Sequence, residues 1–122
     1  MSEFVSLDRC AAYVAARAAL IAVQRATQSW PDTLAARARR EAIETMQVTA
    51  EATAYDHGTA GRRRCLRDAL TSAIGVAACV DVARAMGFDD TGLDDAQRAA
   101  GRTVALLGMF LHANTAAISA PL

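Results

Sequence analysis

The chain has 122 residues, 13 basic and 13 acidic side chains and a sequence pI near 6.7, a balance that excludes the evenly basic coat of a duplex-binding protein. Hydrophobic residues make up 53% of it but aromatics only 5%, so its apolar surface is broad and built mostly from alanine. Residues 1–122 are expected to form one domain with a thin core. At about 25 cal/mol per Å² buried, covering a second apolar stripe with another copy of the chain is favourable, and self-association is expected.

Between the glycine clusters the apolar spacing is helical rather than alternating. A first helix is predicted over residues 7–29, with Leu7, Cys10, Val14, Ala18 and Ile21 on its inner side, and Trp30-Pro31 stops it. Pro31 suits the first turn of a second helix and Asp32 places a carboxylate at its positive end, so that helix is predicted over 32–57 with Leu34, Ala38, Ala42, Met46 and Ala50 facing inward. Gly58 is placed to take the left-handed conformation and Thr59 to cap the next helix. The third helix is predicted over 60–86, carrying Leu66, Ala69, Leu70, Ala73, Ala77 and Val80 and closing at Gly87. A short acidic loop then leads to a fourth over 93–116 with Val104, Leu107 and Leu111, and the tail after Ile118 is expected to fray.

Four such helices on short loops make an all-α, antiparallel up-down-up-down four-helix bundle. That topology places the helix 2 to helix 3 turn at one end and the acidic loop at the other, predicting a basic end and an acidic end. Gly75, Gly101 and Gly108 lie inside helices, at about 1 kcal/mol each relative to alanine. If helices 3 and 4 pair about residue 90, Gly101 falls opposite Cys79 and Val80, and Gly108 opposite Ser72 and Ala73. Close backbone approach is the expected reason, with a subunit interface as the competing one.

The stretch Gly61-Arg-Arg-Arg-Cys-Leu-Arg67 puts Arg62, Arg63, Arg64 and Arg67 where a helix begins, the end at which cations cost about 0.3–1 kcal/mol each. Arg64 can pair with Asp68, whereas Arg63 and Arg67 repel at the same spacing. The total, about 1–3 kcal/mol, is bearable within a domain stability of about 5–15 kcal/mol. Three readings stand: pairing within the subunit to acids such as Glu51 or Asp56, ion pairs across a subunit interface, and an anion or phosphate site. Every basic residue is arginine, which, beside the many alanines, a GC-rich coding bias explains.

The sequence is similar in order and spacing to the small four-helix-bundle proteins encoded in intervening sequences of bacterial large-subunit rRNA genes, together with the accessory variability determinant of diversity-generating retroelements. The resemblance covers nearly the whole chain. It is carried by Trp30-Pro31, by LAARARREAI over 34–43, by QVTAE over 47–51 where the family often has Asn-Ile-Ala-Glu-Gly, by CLRDALTSA from Cys65, and by ARAMGF closing helix 3. What it implies is a bundle assembling into a homopentamer, with nucleic-acid binding by basic members. In a ring the arginine clusters would gather at one mouth, giving salt-dependent binding to RNA or single strands with Tyr55 the nearby aromatic.

Chemical constellations are few. There is no Glu-x-x-His pair for a di-iron centre, His57 and His112 stand alone, and no glycine loop follows a strand, so no metal and no cofactor is expected. Ser72 and Cys79 lie on apolar faces without a neighbouring histidine, and Glu41, Glu44 and Glu51 read as a solvated face of helix 2 or as a set of salt bridges with Arg37 and Arg40. Cys10, Cys65 and Cys79 are odd in number and suit small packing residues in a reducing, cytoplasmic compartment. No signal-peptide pattern or membrane-length apolar run is present. The sequence thus points to a non-enzymatic, homo-oligomeric interaction or scaffold protein. The alternative is a nucleic-acid-binding accessory protein using Arg62, Arg63, Arg64 and Arg67.

Overall fold

The computed structural model describes residues 7–119. They form four helices: α1, Ala11–Ala26; α2, Asp32–Ala52; α3, Ala60–Ala85; and α4, Thr91–Ser119. Single 3₁₀ turns at Leu7–Arg9 and Thr27–Ser29 flank α1, and no strand occurs among the described residues. The fold is all-α. Helix α1 packs beside α2 and α4, and α3 beside the same two.

The helix ends have local causes. The turn at Thr27–Ser29 closes α1 three residues before the predicted stop: the Trp30 N–H donates to the Thr27 carbonyl at 3.2 Å, and Trp30, extended ahead of Pro31 at ψ 159°, is buried. The side chain of Arg39 donates to the Thr27 hydroxyl at 3.1 Å and ties this corner to α2. Pro31 stands at the N-cap of α2, just ahead of the first turn where it was expected, its carbonyl accepting from the Ala35 N–H at 2.9 Å, and Asp32 lies in the first turn. Thr59 caps α3, its hydroxyl oxygen accepting from the Arg62 N–H at 3.2 Å. At the other end of α3, Gly87 takes φ +99° while Phe88 N–H donates to the Ala83 carbonyl and Gly87 N–H to that of Arg84, a Schellman closure. Asp90 accepts from the Leu93 N–H at 2.9 Å, which starts α4 at Thr91, two residues earlier than predicted; α4 also runs three residues further, to Ser119. The predicted fraying beyond Ile118 bears mainly on residues 120–122, outside the described residues.

The second predicted helix is five residues too long. After Ala52 the backbone tightens into bonds three residues back, from Thr53 to Ala50, Ala54 to Glu51 and Tyr55 to Ala52, and the chain turns through Gly58 at φ +83°. The cause is tertiary: side chains of α3 and α4 hold the backbone of this turn.

Two core clusters fill the interior. One gathers Val23, Trp30, Val76, Val80 and Leu93 with surrounding alanines; the other gathers Leu66, Leu107, Cys65 and the alanines of the opposite half. Between them lie buried threonines whose hydroxyls donate to the carbonyl one turn back, Thr45 to Glu41, Thr49 to Thr45 and Thr103 to Ala99, so their burial leaves no donor unpaired.

The inner face of α1 is not the predicted one. Ala12, Ala15, Ala16, Ala19, Val23 and Ala26 are buried, whereas Val14 and Ile21 are 48% and 39% exposed and Ala18 faces outward. Alanines let neighbouring helices approach closely, so the smoother face is inside and the bulkier apolar one outside. In α2 the predicted face is closer to the observed one: Ala38 and Ala42 are buried as expected, Leu34, Met46 and Ala50 are half-buried, and Ala35, Thr45 and Thr49 join the interior.

The expected close approach at Gly101 and Gly108 is absent: a Cβ added at either meets nothing within 4 Å. Gly75 does have a packing reason, since its Cβ would lie 2.8 Å from a carboxylate oxygen of Glu41 on α2. The predicted acidic end is partly neutralised, because Arg84 donates to Asp89 at 2.6 Å, Asp94 at 2.8 Å and the Gln97 side-chain Oε1 at 2.6 Å, while Arg98 pairs with Asp95.

Candidate functional site

The arginine cluster sits where the turn after α2 meets the start of α3, and its four members do different things. Arg62, half-buried, donates from Nη1 to the Tyr55 carbonyl at 3.1 Å and reaches the Ala52 carbonyl at 3.5 Å. It therefore supplies a donor to the Tyr55 carbonyl beyond the end of α2 and a second, longer one to the Ala52 carbonyl, which already accepts from the Tyr55 N–H, the role of a C-terminal cap supplied from another helix. Its Nε is buried without a partner. Arg63 is half-buried, and Arg64 and Arg67 are exposed.

None of the four forms an ion pair among the described residues. The pairing with Glu51 or Asp56 expected as one reading is absent, and so is the Arg64–Asp68 pair. Asp56 instead uses its backbone carbonyl, which accepts the Thr59 hydroxyl at 2.8 Å. Tyr55 lies with its ring over Gly61: a Cβ there would stand 2.6 Å from ring carbons, so glycine is what lets the aromatic fold back onto the helix start. The ring is 40% exposed beside the arginines.

The residue that fixes this corner escaped the sequence reading. Asn114 on α4 is fully buried; its Oδ1 accepts from the Gly58 N–H at 2.6 Å and its Nδ2 donates to the Thr59 carbonyl at 3.1 Å. One amide thus holds the left-handed turn and the cap of α3 together, and with Arg62 it takes the segment 53–59 away from helical continuation. A signal was present: Asn114 lies seven residues after the buried Leu107, at core spacing in a helix where an amide must find partners.

A second feature lies on the outer side of α2 and α3. Pro31, Leu34, Arg37, Gly75, Cys79, Val82 and Met86 line an open groove of about 430 Å³. Beside it the outward face of α3 shows Ile74, Val82 and Met86 at 52%, 47% and 55% exposure. Arg37 is the one cation on the groove wall, and Asp81 lies exposed near the end of α3.

Nucleophilic chemistry finds little support. Burial, then the nearby Glu51 carboxylate, pushes the Cys65 thiol up; burial pushes the Cys79 thiol up, with Arg37 opposing and Glu41 reinforcing. Both are thereby held as thiols rather than as the reactive thiolate. His57 and His112 are exposed, and no group of three or more His, Cys, Asp or Glu side chains that could hold a metal occurs among the described residues. No helix among them is long and apolar enough to cross a membrane. The chain matches no family model and no curated protein.

Proposed function

We propose that the chain is a non-enzymatic, homo-oligomeric interaction or scaffold module, built as an up-down-up-down antiparallel bundle. The observation that carries this reading is the placement of large apolar side chains. Val14 and Ile21 on α1, Ile43 on α2, Ile74 and Val82 on α3, Met86 just after it and Met109 on α4 are 39–62% exposed, around an interior lined chiefly by alanine. A bundle that buries many alanines and leaves these large apolar side chains exposed gains by covering the latter with a copy of itself.

The antiparallel arrangement is supported by three contacts. Asn114, late in α4, bonds the start of α3; Gly92, early in α4, faces Ala26 at the end of α1; and Arg62, early in α3, bonds the Tyr55 carbonyl just past the end of α2. A reducing, cytoplasmic compartment suits the free cysteines Cys10, Cys65 and Cys79. Size-exclusion chromatography with light scattering, repeated over a hundredfold dilution, tests the reading. A mass above the monomer that falls on dilution is expected, five subunits being the number the family resemblance implies, and a monomer at every concentration refutes it.

The alternative, a nucleic-acid-binding accessory protein, draws on Arg63, Arg64 and Arg67 having no ion-pair partner among the described residues. It requires affinity for RNA or single strands that falls steeply with salt and is lost when these arginines become glutamine.

A further inference from the structure

The turn between α2 and α3 is held from outside, while its own sequence continues the helical pattern of both neighbours. Ala38, Thr45, Ala52, Leu66, Ala73 and Val80 are buried at steps of seven residues, and half-buried Thr59 fills the one gap in that series. A repeat of seven keeps to one side of a helix over many turns, so the buried stripe of α2 runs into that of α3 as though the two were one helix. No proline interrupts residues 32–85. The departure from helix is also small. The N–H groups of Thr53, Ala54 and Tyr55 still bond three residues back, and one tight turn over residues 56–59 follows. There the Thr59 N–H donates to the Asp56 carbonyl at 3.3 Å, with Gly58 at φ +83° and no positive φ at His57, the geometry of a type II turn. The side chains that hold it belong to other helices: Asn114 of α4 bonds Gly58 and Thr59, and Arg62 of α3 bonds the Tyr55 carbonyl.

We infer that residues 53–59 are a hinge with two states: the turn, in which α3 packs on its own α2, and a continuous helix from α2 into α3, in which α3 and α4 pack on α2 and α1 of a second copy. The surfaces that opening uncovers identify the occupant. They are the ones that α2 with α3 and α1 with α4 bury against each other in the closed chain, and the same helices of another copy match them contact for contact. Asn114 sets the balance between the states. While α4 is docked, its amide accepts the Gly58 N–H; once α4 leaves, that donor is satisfied within the helix by the Ala54 carbonyl, one turn back. The exchange uses interior contacts, so it stands apart from the surface self-association proposed above and fixes no subunit number.

A disulfide between α2 and α3 reads which copy α3 packs on. A Cβ built at Gly75 lies 3.3 Å from the Glu41 Cγ, the place the sulfur takes in Glu41→Cys, so Glu41→Cys with Gly75→Cys can close that bond, in a Cys79→Ala chain to keep the nearby thiol out. With the native hinge, oxidation is expected to link each chain to itself and give a monomer band on a non-reducing gel. Gly58→Ala with Asn114→Leu, which disfavours the left-handed residue and removes the amide, is expected to move the link between chains. His57→Pro added to that pair is expected to restore the monomer band, because proline suits the second position of a type II turn and breaks a helix. A folded Gly58→Ala/Asn114→Leu chain that links only to itself overturns the inference, as do interchain links that persist with His57→Pro. If that chain does not fold, refolding the native-hinge chain from urea at high concentration takes its place: interchain links that His57→Pro suppresses support the hinge, and their absence or indifference to proline overturns it. An oligomer by light scattering whose links all stay within the chain, hinge variants included, overturns the hinge and leaves the surface reading standing.

Discussion

Replacing Asn114 with leucine keeps the branched skeleton of the side chain, with bulkier methyl groups, and removes both hydrogen-bonding functions. The Gly58 N–H and the Thr59 carbonyl, now 2.6 and 3.1 Å from the amide, would then face a buried apolar group. Each lost bond contributes about 0.5–1.5 kcal/mol net, and each polar group left unsatisfied costs about 1–3 kcal/mol where water cannot replace the amide. Both backbone groups are only part-buried, so water recovers some of this, and about 2–4 kcal/mol of destabilisation is expected. That is a large fraction of a domain stability of about 5–15 kcal/mol and corresponds to about 8–16 °C in Tm. Thermal and urea unfolding of Asn114→Leu and wild type at one protein concentration reads the difference, since self-association shifts apparent stability by mass action. Asn114→Asp sharpens the test. Its carboxyl must be protonated to donate to the Thr59 carbonyl, so its deficit relative to wild type should be smaller at pH 4 than at pH 7. A leucine variant within about 0.5 kcal/mol of wild type, the size of an ordinary surface change, would refute the view that this amide holds the turn.

The helical glycines separate by what surrounds them. Gly101→Ala and Gly108→Ala meet open space and should each stabilise the dilute protein by about 1 kcal/mol in urea unfolding. Gly61→Ala should instead destabilise it, because its Cβ runs into the Tyr55 ring, and Tyr55→Ala in the same chain should restore the loss; no rescue would mean the ring is not the obstacle. Burial raises the Cys79 thiol above its ordinary value of 9.0, so the unfolded chain ionises first as pH rises and stability falls once pH passes that value. Cys79→Ala should flatten this fall in urea midpoints measured from pH 8 to 10. For the same reason native Cys65 and Cys79 should alkylate far more slowly than the half-buried Cys10 at pH 8, read by mass spectrometry, and equal rates would contradict their burial.

Much of the secondary structure was legible because its determinants are local. Asp32 in the first turn of α2, Thr59 as a cap and Gly87 as a left-handed stop act within a few residues of where they stand, and the structure uses each in that way, with Pro31 at the N-cap one position ahead of its expected place. The arginine cluster was visible as a charge pattern, but the division of labour within it was not: Arg62 serves carbonyls seven and ten residues back, a contact that exists only once α2 has turned.

The sequence by itself determined that this is a chain of long alanine-rich helices separated by short turns, since propensity and punctuation need no partner to act. It did not determine which side of each helix faces in. Where apolar residues occupy both sides, as on α1, periodicity offers two nearly equal answers, and only the packing of four helices chooses the alanine side because it permits the closest approach. The end of α2 was decided in the same way. Nothing within residues 53–57 forbids helix, but Asn114 on α4 and Arg62 on α3 bind the turn's backbone groups from outside, and a distant amide outweighs local preference when it is fully buried and has no other partner to satisfy it.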